Sequence, residues 1–161
     1  MALADAAGAA VKIHLAAVSG DGHLWHAVGR PQQWPLQDVE RTRAGAVPGD
    51  LTDVACASAG DLDMVAVAGD GHVWHTTHDA SAPDAFTAWT PFTDPEAARD
   101  VGTFMRIGVA QIQSGLHICG VTSDGRLWHR LRGAAGDRFG DVKAVIKPPP
   151  EVRSFQAVAC A

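Results

Sequence analysis

The stretch Val67–His75 reads VAGDGHVWH, and two other stretches repeat its pattern: Val18–His26 reads VSGDGHLWH and Val121–His129 reads VTSDGRLWH. The motif tryptophans lie at positions 25, 74 and 128, so the repeat recurs after 49 and then 54 residues. In each copy an Asp-Gly pair separates an apolar run from a Leu/Val-Trp-His segment. Asp-Gly favours a tight turn because glycine adopts positive φ without strain, and the flanking residues are good strand formers. Each copy therefore predicts a β-hairpin.

Further strands are predicted on both sides of each hairpin, whose own strands we call b and c. The apolar runs that form strand b are Ile13–Val18, Leu62–Val67 and Leu116–Val121. Strand a, before the hairpin, is predicted at Val54–Ala57 and Gly108–Gln111, and strand d, after it, at Trp34–Val39, Ala88–Phe92 and Phe139–Val142. Pro35 and Pro91 cannot donate to a ladder, which places strand d at a sheet edge.

Repeats of this length are typical of four-stranded propeller blades. The predicted fold class is therefore all-β: a β-propeller of four-stranded antiparallel blades, with three blades in one chain. We expect residues 1–161 to form a single domain with blades at about residues 11–40, 51–93 and 104–146. A length of 161 residues suits one domain with a sizeable core.

The two chain ends predict how such a propeller closes. The first copy has no good strand a before it, whereas Val158–Ala161 repeats the VACA of Val54–Ala57 with no hairpin after it. Closed propellers have about 4–8 blades, and two-fold symmetry is the commonest oligomeric arrangement. We expect a six-bladed homodimeric ring in which the closing strand, residues 152–161, completes the partner's first blade. The alternative is that the chain is cut from a longer parent.

The motif Asp-Gly-His/Arg-Leu/Val-Trp-His resembles the blade motif of tectonin and tachylectin-type propellers, and is most similar to that of bacterial fucose-binding propeller lectins. Residues 52–92 fit best, with Asp61-Leu62-Asp63 before strand b, Trp74-His75 on strand c and Trp89 on strand d. The third copy departs from the pattern by having Phe139 in place of the last tryptophan. The resemblance implies binding of glycans, fucose or related O-methylated sugars among them, in shallow sites between blades.

Two sets of equivalent residues on strand c are candidate ligand-binding residues. Trp25, Trp74 and Trp128 either stack on the apolar face of a pyranose or fill the space between blades. His26, His75 and His129 follow them and point to the opposite face of the sheet. These histidines either donate to sugar hydroxyls or bond to neighbouring backbone.

Two further sets lie at the turn and on strand b. His23, His72 and Arg126 come directly after the turn and are candidate contacts at a loop end. His14, Asp63 and His117 are polar residues inside apolar strands, and buried polar groups need a partner. That partner is expected to be either a group on the neighbouring blade or a ligand.

Composition argues against several other functions. A net charge of −5 disfavours nucleic-acid binding. Cys56, Cys119 and Cys160 do not have zinc or disulfide-framework spacing and are expected to be buried thiols. His23 and His26 point to opposite faces of a strand, which argues against a metal site. No signal peptide or membrane-spanning segment is visible, localisation is left open, and no cofactor is expected.

Polar residues that recur copy by copy favour multivalent binding over catalysis, which needs a unique set of unlike groups. We expect a non-catalytic, multivalent lectin. The alternative is a structural or protein-interaction propeller that binds no sugar. The absence of tyrosine from the sequence excludes a tyrosine nucleophile of the sialidase kind.

Overall fold

The computed structural model of the chain describes residues 13–29, 34–42, 44–45, 49–58, 60–79, 82, 85–92, 101–112, 115–133, 140–141, 143–146 and 154–160. Within these residues the protein is all-β, with three antiparallel sheets. The all-β prediction is confirmed. No helix in this described part is long and apolar enough to cross a membrane.

Each sheet follows the chain in simple meander order. Sheet 1 contains β1 (Ile13–Val18), β2 (Leu24–Gly29) and β3 (Leu36–Asp38), and a 3₁₀ turn (Val39–Arg41) follows it. Sheet 2 contains β4 (Leu51–Ser58), β5 (Leu62–Ala68), β6 (Val73–His78) and β7 (Thr90–Pro91). Sheet 3 contains β8 (Phe104–Ile112), β9 (Gly115–Thr122), β10 (Leu127–Gly133) and β11 (Lys143–Ile146).

The three predicted hairpins are confirmed as β1–β2, β5–β6 and β9–β10. Their turn glycines, Gly22, Gly71 and Gly125, have φ of 82°, 81° and 76°. Only glycine adopts this conformation at little cost. In the second turn the Asp70 carboxylate accepts a hydrogen bond from the His72 backbone N–H at 2.9 Å, as the Asp-Gly signal predicts.

The outer strand of sheet 3 differs from the prediction. The strand that pairs with β10 is β11, through Leu127 opposite Ile146. Of the predicted segment Phe139–Val142, Gly140 lies beside β10, where its N–H donates to the Leu131 carbonyl at 2.9 Å. Gly140 and Asp141 lie in the connection, and Phe139 and Val142 are outside the described residues. Glycine and aspartate are poor strand formers, whereas Lys-Ala-Val-Ile carries two β-branched residues. Strand d in the other two sheets lies within the predicted segments.

Neighbouring sheets pack face to face through two apolar clusters. The strand β5 lies between them and is buried along its whole length, so both of its faces contribute to a core. The first cluster, between sheets 1 and 2, includes Leu24, Leu51, Leu62 and Met64. The second, between sheets 2 and 3, consists of Val65, Val67, Val73, Phe92, Val101, Phe104, Ile107, Val109, Leu116, Ile118 and Trp128.

One backbone hydrogen bond is repeated at each step from sheet to sheet. The N–H of Leu51 donates to Gly22 at 3.0 Å, and the N–H of Phe104 donates to Gly71 at 3.1 Å. The N–H of Phe155 donates in the same way to Gly125 at 3.3 Å. Residues 154–160 therefore lie against sheet 3 as β4 lies against sheet 1 and β8 against sheet 2. They belong to no ladder among the described residues.

Candidate functional site

Each sheet carries, at the same place, a hydrogen-bonded polar pair that joins strand b to strand c. His14 Nδ1 lies 3.1 Å from His26 Nε2, Asp63 Oδ1 lies 2.8 Å from His75 Nε2, and His117 Nδ1 lies 3.0 Å from His129 Nε2. The members of a pair are diagonal neighbours across the ladder, where long side chains on one face meet. Two of the predicted residue sets are thus brought together in one place.

At the junction of sheets 1 and 2, the polar pair meets side chains of sheet 2. The ring centroids of His26 and His78 are 5.3 Å apart, and Phe86 packs edge-on against His26 at 5.4 Å. His26 is 1% exposed. Burial, with His14 and His78 close by, lowers the pKa of His26 to about 4, so the ring is neutral at pH 7.

At the junction of sheets 2 and 3, Asp63 of the polar pair forms an ion pair with Arg132 of sheet 3. Arg132 Nη2 lies 2.7 Å from both carboxylate oxygens of Asp63, and Thr77 Oγ1 donates to Oδ1 at 3.0 Å. Asp63 is 6% exposed. Burial alone raises the pKa of Asp63, but the His75 hydrogen bond and the Arg132 charge outweigh it and lower this pKa below its ordinary value.

The third pair lies on the face of sheet 3 that is turned away from sheet 2. Leu116 and Ile118 on β9 point into the cluster between sheets 2 and 3, so His117 points to the other face. The rings of His117 and His129 are stacked with centroids 5.1 Å apart. Burial, followed by the proximity of His117, lowers the pKa of His129.

The groups that come from the following sheet were not predicted from the sequence. His78 and Arg132 occupy the same position, three residues after the motif histidine, and Gly29 occupies it in sheet 1. Only the packing of one sheet on the next shows that this position faces the polar pair. The sequence contains one sign of this position: the residue three places after the motif histidine is Gly, His or Arg, and so differs in each copy.

The motif tryptophans lie in or beside the apolar packing between sheets. Trp74 packs on the first cluster, and Trp128, 8% exposed, belongs to the second. Trp25 is half-buried, and its indole N–H donates to Ser19 Oγ at 3.2 Å. The indole N–H groups of Trp74, Trp89 and Trp128 are buried and have no hydrogen-bond partner among the residues that the structure describes. This placement of Trp74 and Trp128 agrees with the space-filling interpretation.

The turn set lies at the opposite end of the sheets from the polar pairs. His72 Nδ1 is 3.1 Å from Asp70, and Arg126 Nε is 2.6 Å from Asp124, so both bond to the aspartate of their own turn. All three side chains, including that of His23, are at least 42% exposed. His23 and His72 therefore lie apart from the polar pairs. Arg126 reaches the edge of the second cluster, where its guanidinium lies 5.1 Å from the Trp128 ring centroid and Nη2 donates to the Val101 carbonyl at 3.2 Å.

His23 instead faces Glu40, with Nδ1 3.2 Å from the carboxylate. The ligand atoms of His23, Asp38 and Glu40 lie within 4.8 Å of one another, a spacing at which a divalent cation could be held. The contact between His23 and Glu40, together with the bond from Glu40 N–H to Asp38 Oδ1 at 3.1 Å, accounts for the arrangement without an ion.

The first strand of each sheet (β1, β4 and β8) and the C-terminal segment line a cavity of about 230 Å³; we call β4 and β8 the inner strands. The lining residues are His14–Ala16, Val54–Cys56, Ile107–Val109 and Val158–Cys160. Strands β4 and β8 and residues 158–160 therefore share one side of the molecule with the edge strand β1.

No protein-family model matches the chain, and a search of curated proteins finds no relative.

Proposed function

We propose that the chain is half of a six-bladed β-propeller lectin that binds monosaccharide units of glycans at the junctions between blades. The observation that carries this proposal is the polar pair that recurs at one place in all three sheets and, in sheets 1 and 2, faces the next sheet. A repeated polar site of this kind suits multivalent recognition, in which avidity rises without new contacts.

The packing of the sheets supports the propeller and its closure by a second copy. Three meander sheets follow one another with the same backbone bond from the turn glycine to the next inner strand. Residues 154–160 lie where the first strand of a following sheet would lie, as β4 and β8 do, and β1 is an edge strand among the described residues. Since β4 and β8 pair with β5 and β9, the C-terminal segment of one copy fits beside β1 of another.

The chemistry of the polar pairs suits neutral sugars. A neutral imidazole offers one donor and one acceptor, as a sugar hydroxyl does, and burial keeps His26 and His129 in the neutral form. Fucose and its O-methylated relatives also carry apolar patches, which aromatic side chains beside a polar pair can contact.

The junction at the dimer seam is the one we propose as the principal sugar site. There the His117–His129 pair meets the first blade of the second copy. The position that carries His78 or Arg132 elsewhere is Gly29 in that blade, and it contributes no side chain to the junction. The seam therefore leaves more room for a ligand than the other two junctions.

A second candidate function is a protein-interaction propeller without sugar binding. It is favoured by the close filling of two junctions, where His26 is 1% and Asp63 6% exposed. In that case the exposed apolar residues would carry the contact, among them Leu36, which is 66% exposed.

A glycan array followed by calorimetric titration with the free monosaccharide tests the lectin proposal. The intact protein is expected to bind a competable class of sugar. The variant His117→Ala with His129→Ala is expected to lose most of this binding while remaining folded. The control His72→Ala, on the exposed turn, is expected to retain it. A blank array from folded protein would instead establish the interaction module.

A further inference from the structure

The C-terminal segment places a cysteine at a position that recurs at every junction. The residues that donate to the turn glycines, Leu51, Phe104 and Phe155, are each followed five residues later by an equivalent residue. These residues are Cys56, Val109 and Cys160. Each lies on an inner strand, or on the segment that takes the place of one.

Strand b of the preceding sheet carries the residue that faces this position. It is found two residues after the first member of the polar pair and is Ala16, Val65 or Cys119. At the first junction Ala16 packs with the cluster that contains Cys56. At the second junction Val65 and Val109 belong to one cluster. The third junction has cysteine at both positions, Cys119 and Cys160.

The contacts place both cysteines against the same residue, Gly108 of β8. Cys119 lies directly opposite Gly108 in the β8–β9 ladder, and Cys160 Sγ lies 3.6 Å from the Gly108 carbonyl oxygen. A Cβ on Gly108 would be 3.1 Å from Ala159 Cα. The missing side chain therefore lets the C-terminal segment lie close over this strand.

The environments of the three cysteines differ in a way that separates this pair from Cys56. Both Cys119 and Cys160 are half-buried, whereas Cys56 is 7% exposed. The hydrogen bond from Cys160 lowers the pKa of Cys119, and burial raises that of Cys56. Thiolate character and access govern thiol–disulfide exchange, so Cys119 is the thiol that reacts first.

We infer that Cys119 and Cys160 form a redox latch: a reversible disulfide, made by exchange with a low-molecular-weight disulfide, that fastens residues 154–160 to sheet 3. The Cys119 thiolate attacks one sulfur of that disulfide and releases the first thiolate. Cys160 then loses its proton and attacks the Cys119 sulfur, which releases the second. The two cysteines are oxidised, and one disulfide is reduced to two thiols that take up the two protons.

The latch acts on the segment that belongs to no ladder among the described residues of its own chain. A covalent link removes much of the freedom of such a segment in its undocked state. Oxidation would hold residues 154–160 in the place of an inner strand, ready to pair with β1 of a second copy. The inference about the thiols themselves does not depend on sugar binding.

Titration of the protein with oxidised glutathione, followed by a thiol count in denaturant and by peptide mass mapping, tests the latch. The count is expected to fall from three thiols to one, with a Cys119–Cys160 linkage in the peptide map. The intact, unreduced protein in denaturant is expected to keep the mass of a single chain. Cys119→Ser and Cys160→Ser are each expected to prevent this disulfide, and the control Cys56→Ser is expected to form it normally.

A second readout tests the docking of the C-terminal segment. Amide exchange in residues 154–160 is expected to slow on oxidation of the wild type and of Cys56→Ser, and to stay unchanged in Cys160→Ser. A disulfide that includes Cys56, a linkage between chains, or a count of three thiols after equilibration would overturn the inference. So would an intrachain linkage that leaves exchange in this segment unaltered.

Discussion

The stability of the sheet junctions depends on the partners of their buried polar side chains. Asp63 is held by His75, Thr77 and Arg132, which come from two different sheets. A buried carboxylate is tolerated when its charge is paired and its oxygens accept hydrogen bonds. Removal of one partner leaves an unpaired buried charge. A single substitution therefore lowers the free energy of unfolding by more than the intact pair contributes to it.

Arg132→Met is expected to destabilise the protein by about 3 kcal/mol, because it leaves Asp63 buried without its cation. Denaturant unfolding measures this difference. Arg106→Met serves as the control, since Arg106 is exposed and bonds to its neighbour's carbonyl, and it should change stability by less than about 0.5 kcal/mol. Equal losses of unfolding free energy in the two variants would show that the Asp63–Arg132 ion pair does not stabilise the junction.

His26 gives a prediction about pH. The unfolded histidine takes up a proton near its ordinary pKa of 6.5, whereas the folded one does so only near pH 4. The contribution of His26 to the free energy of unfolding is therefore fully present above pH 6.5. It decreases as the pH drops towards 4 and does not decrease further below that pH. A difference of this size corresponds to at most about 3 kcal/mol.

Unfolding free energies measured from pH 7.5 to pH 4 check this. His26→Gln is expected to flatten the profile in that window, and the exposed His72→Gln serves as its control. A variant profile as steep as that of the wild type would show that another group is responsible.

The sequence predicts that His14, Asp63 and His117 need partners, and it places those partners on the neighbouring blade or in a ligand. In the structure each bonds instead to the motif histidine of its own sheet, and Asp63 bonds in addition to Arg132 of the neighbouring sheet. Arg132 is 69 residues from Asp63, and only the packing of sheet 3 on sheet 2 brings them together. Contacts between sheets depend on the angle and offset of whole sheets, which no local pattern encodes.

Hairpins are the elements most strongly determined by local sequence. The Asp-Gly turn and the apolar strand b are local signals, and the structure has all three hairpins where they predict them. The outer strands carry weaker signals: β7 is only Thr90–Pro91, and β11 lies beyond its predicted segment. An edge strand pairs on one side alone, so its position depends on the loop before it as well as on its own residues.

The turn glycines also position the next sheet, which gives a prediction at this scale. A Cβ on Gly71 would lie 3.0 Å from Thr103 Cα and Cβ, and φ there is 81°. Gly71→Ala is therefore expected to cost about 1–3 kcal/mol through backbone strain, with a further cost from displacement of β8.

Gly20→Ala is the matched control in the equivalent turn region of sheet 1. A Cβ at Gly20 meets no atom within 4 Å, so a change within about 0.5 kcal/mol is expected. Thermal unfolding of both variants compares them directly. Equal stability of Gly71→Ala and Gly20→Ala would contradict the close approach of Thr103 to the Gly71 turn.

At the scale of the whole molecule, the proposed ring joins three observations that no single element explains. The chain contains three similar sheets, its C-terminal segment lies where the first strand of a following sheet would lie, and β1 is an edge strand in the described part of sheet 1. The VACA string repeated at Val54–Ala57 and Val158–Ala161 indicates this arrangement in the sequence. The structure adds the Phe155–Gly125 bond, which places the segment in register.

Light scattering of the intact chain after size-exclusion chromatography, at micromolar concentration, tests ring closure most directly. Two chains are needed for six blades, so the account predicts a particle of twice the 16.8 kDa chain mass. A particle of 16.8 kDa under these conditions would contradict the closure of the ring by a second copy, and with it the sugar site at the dimer seam.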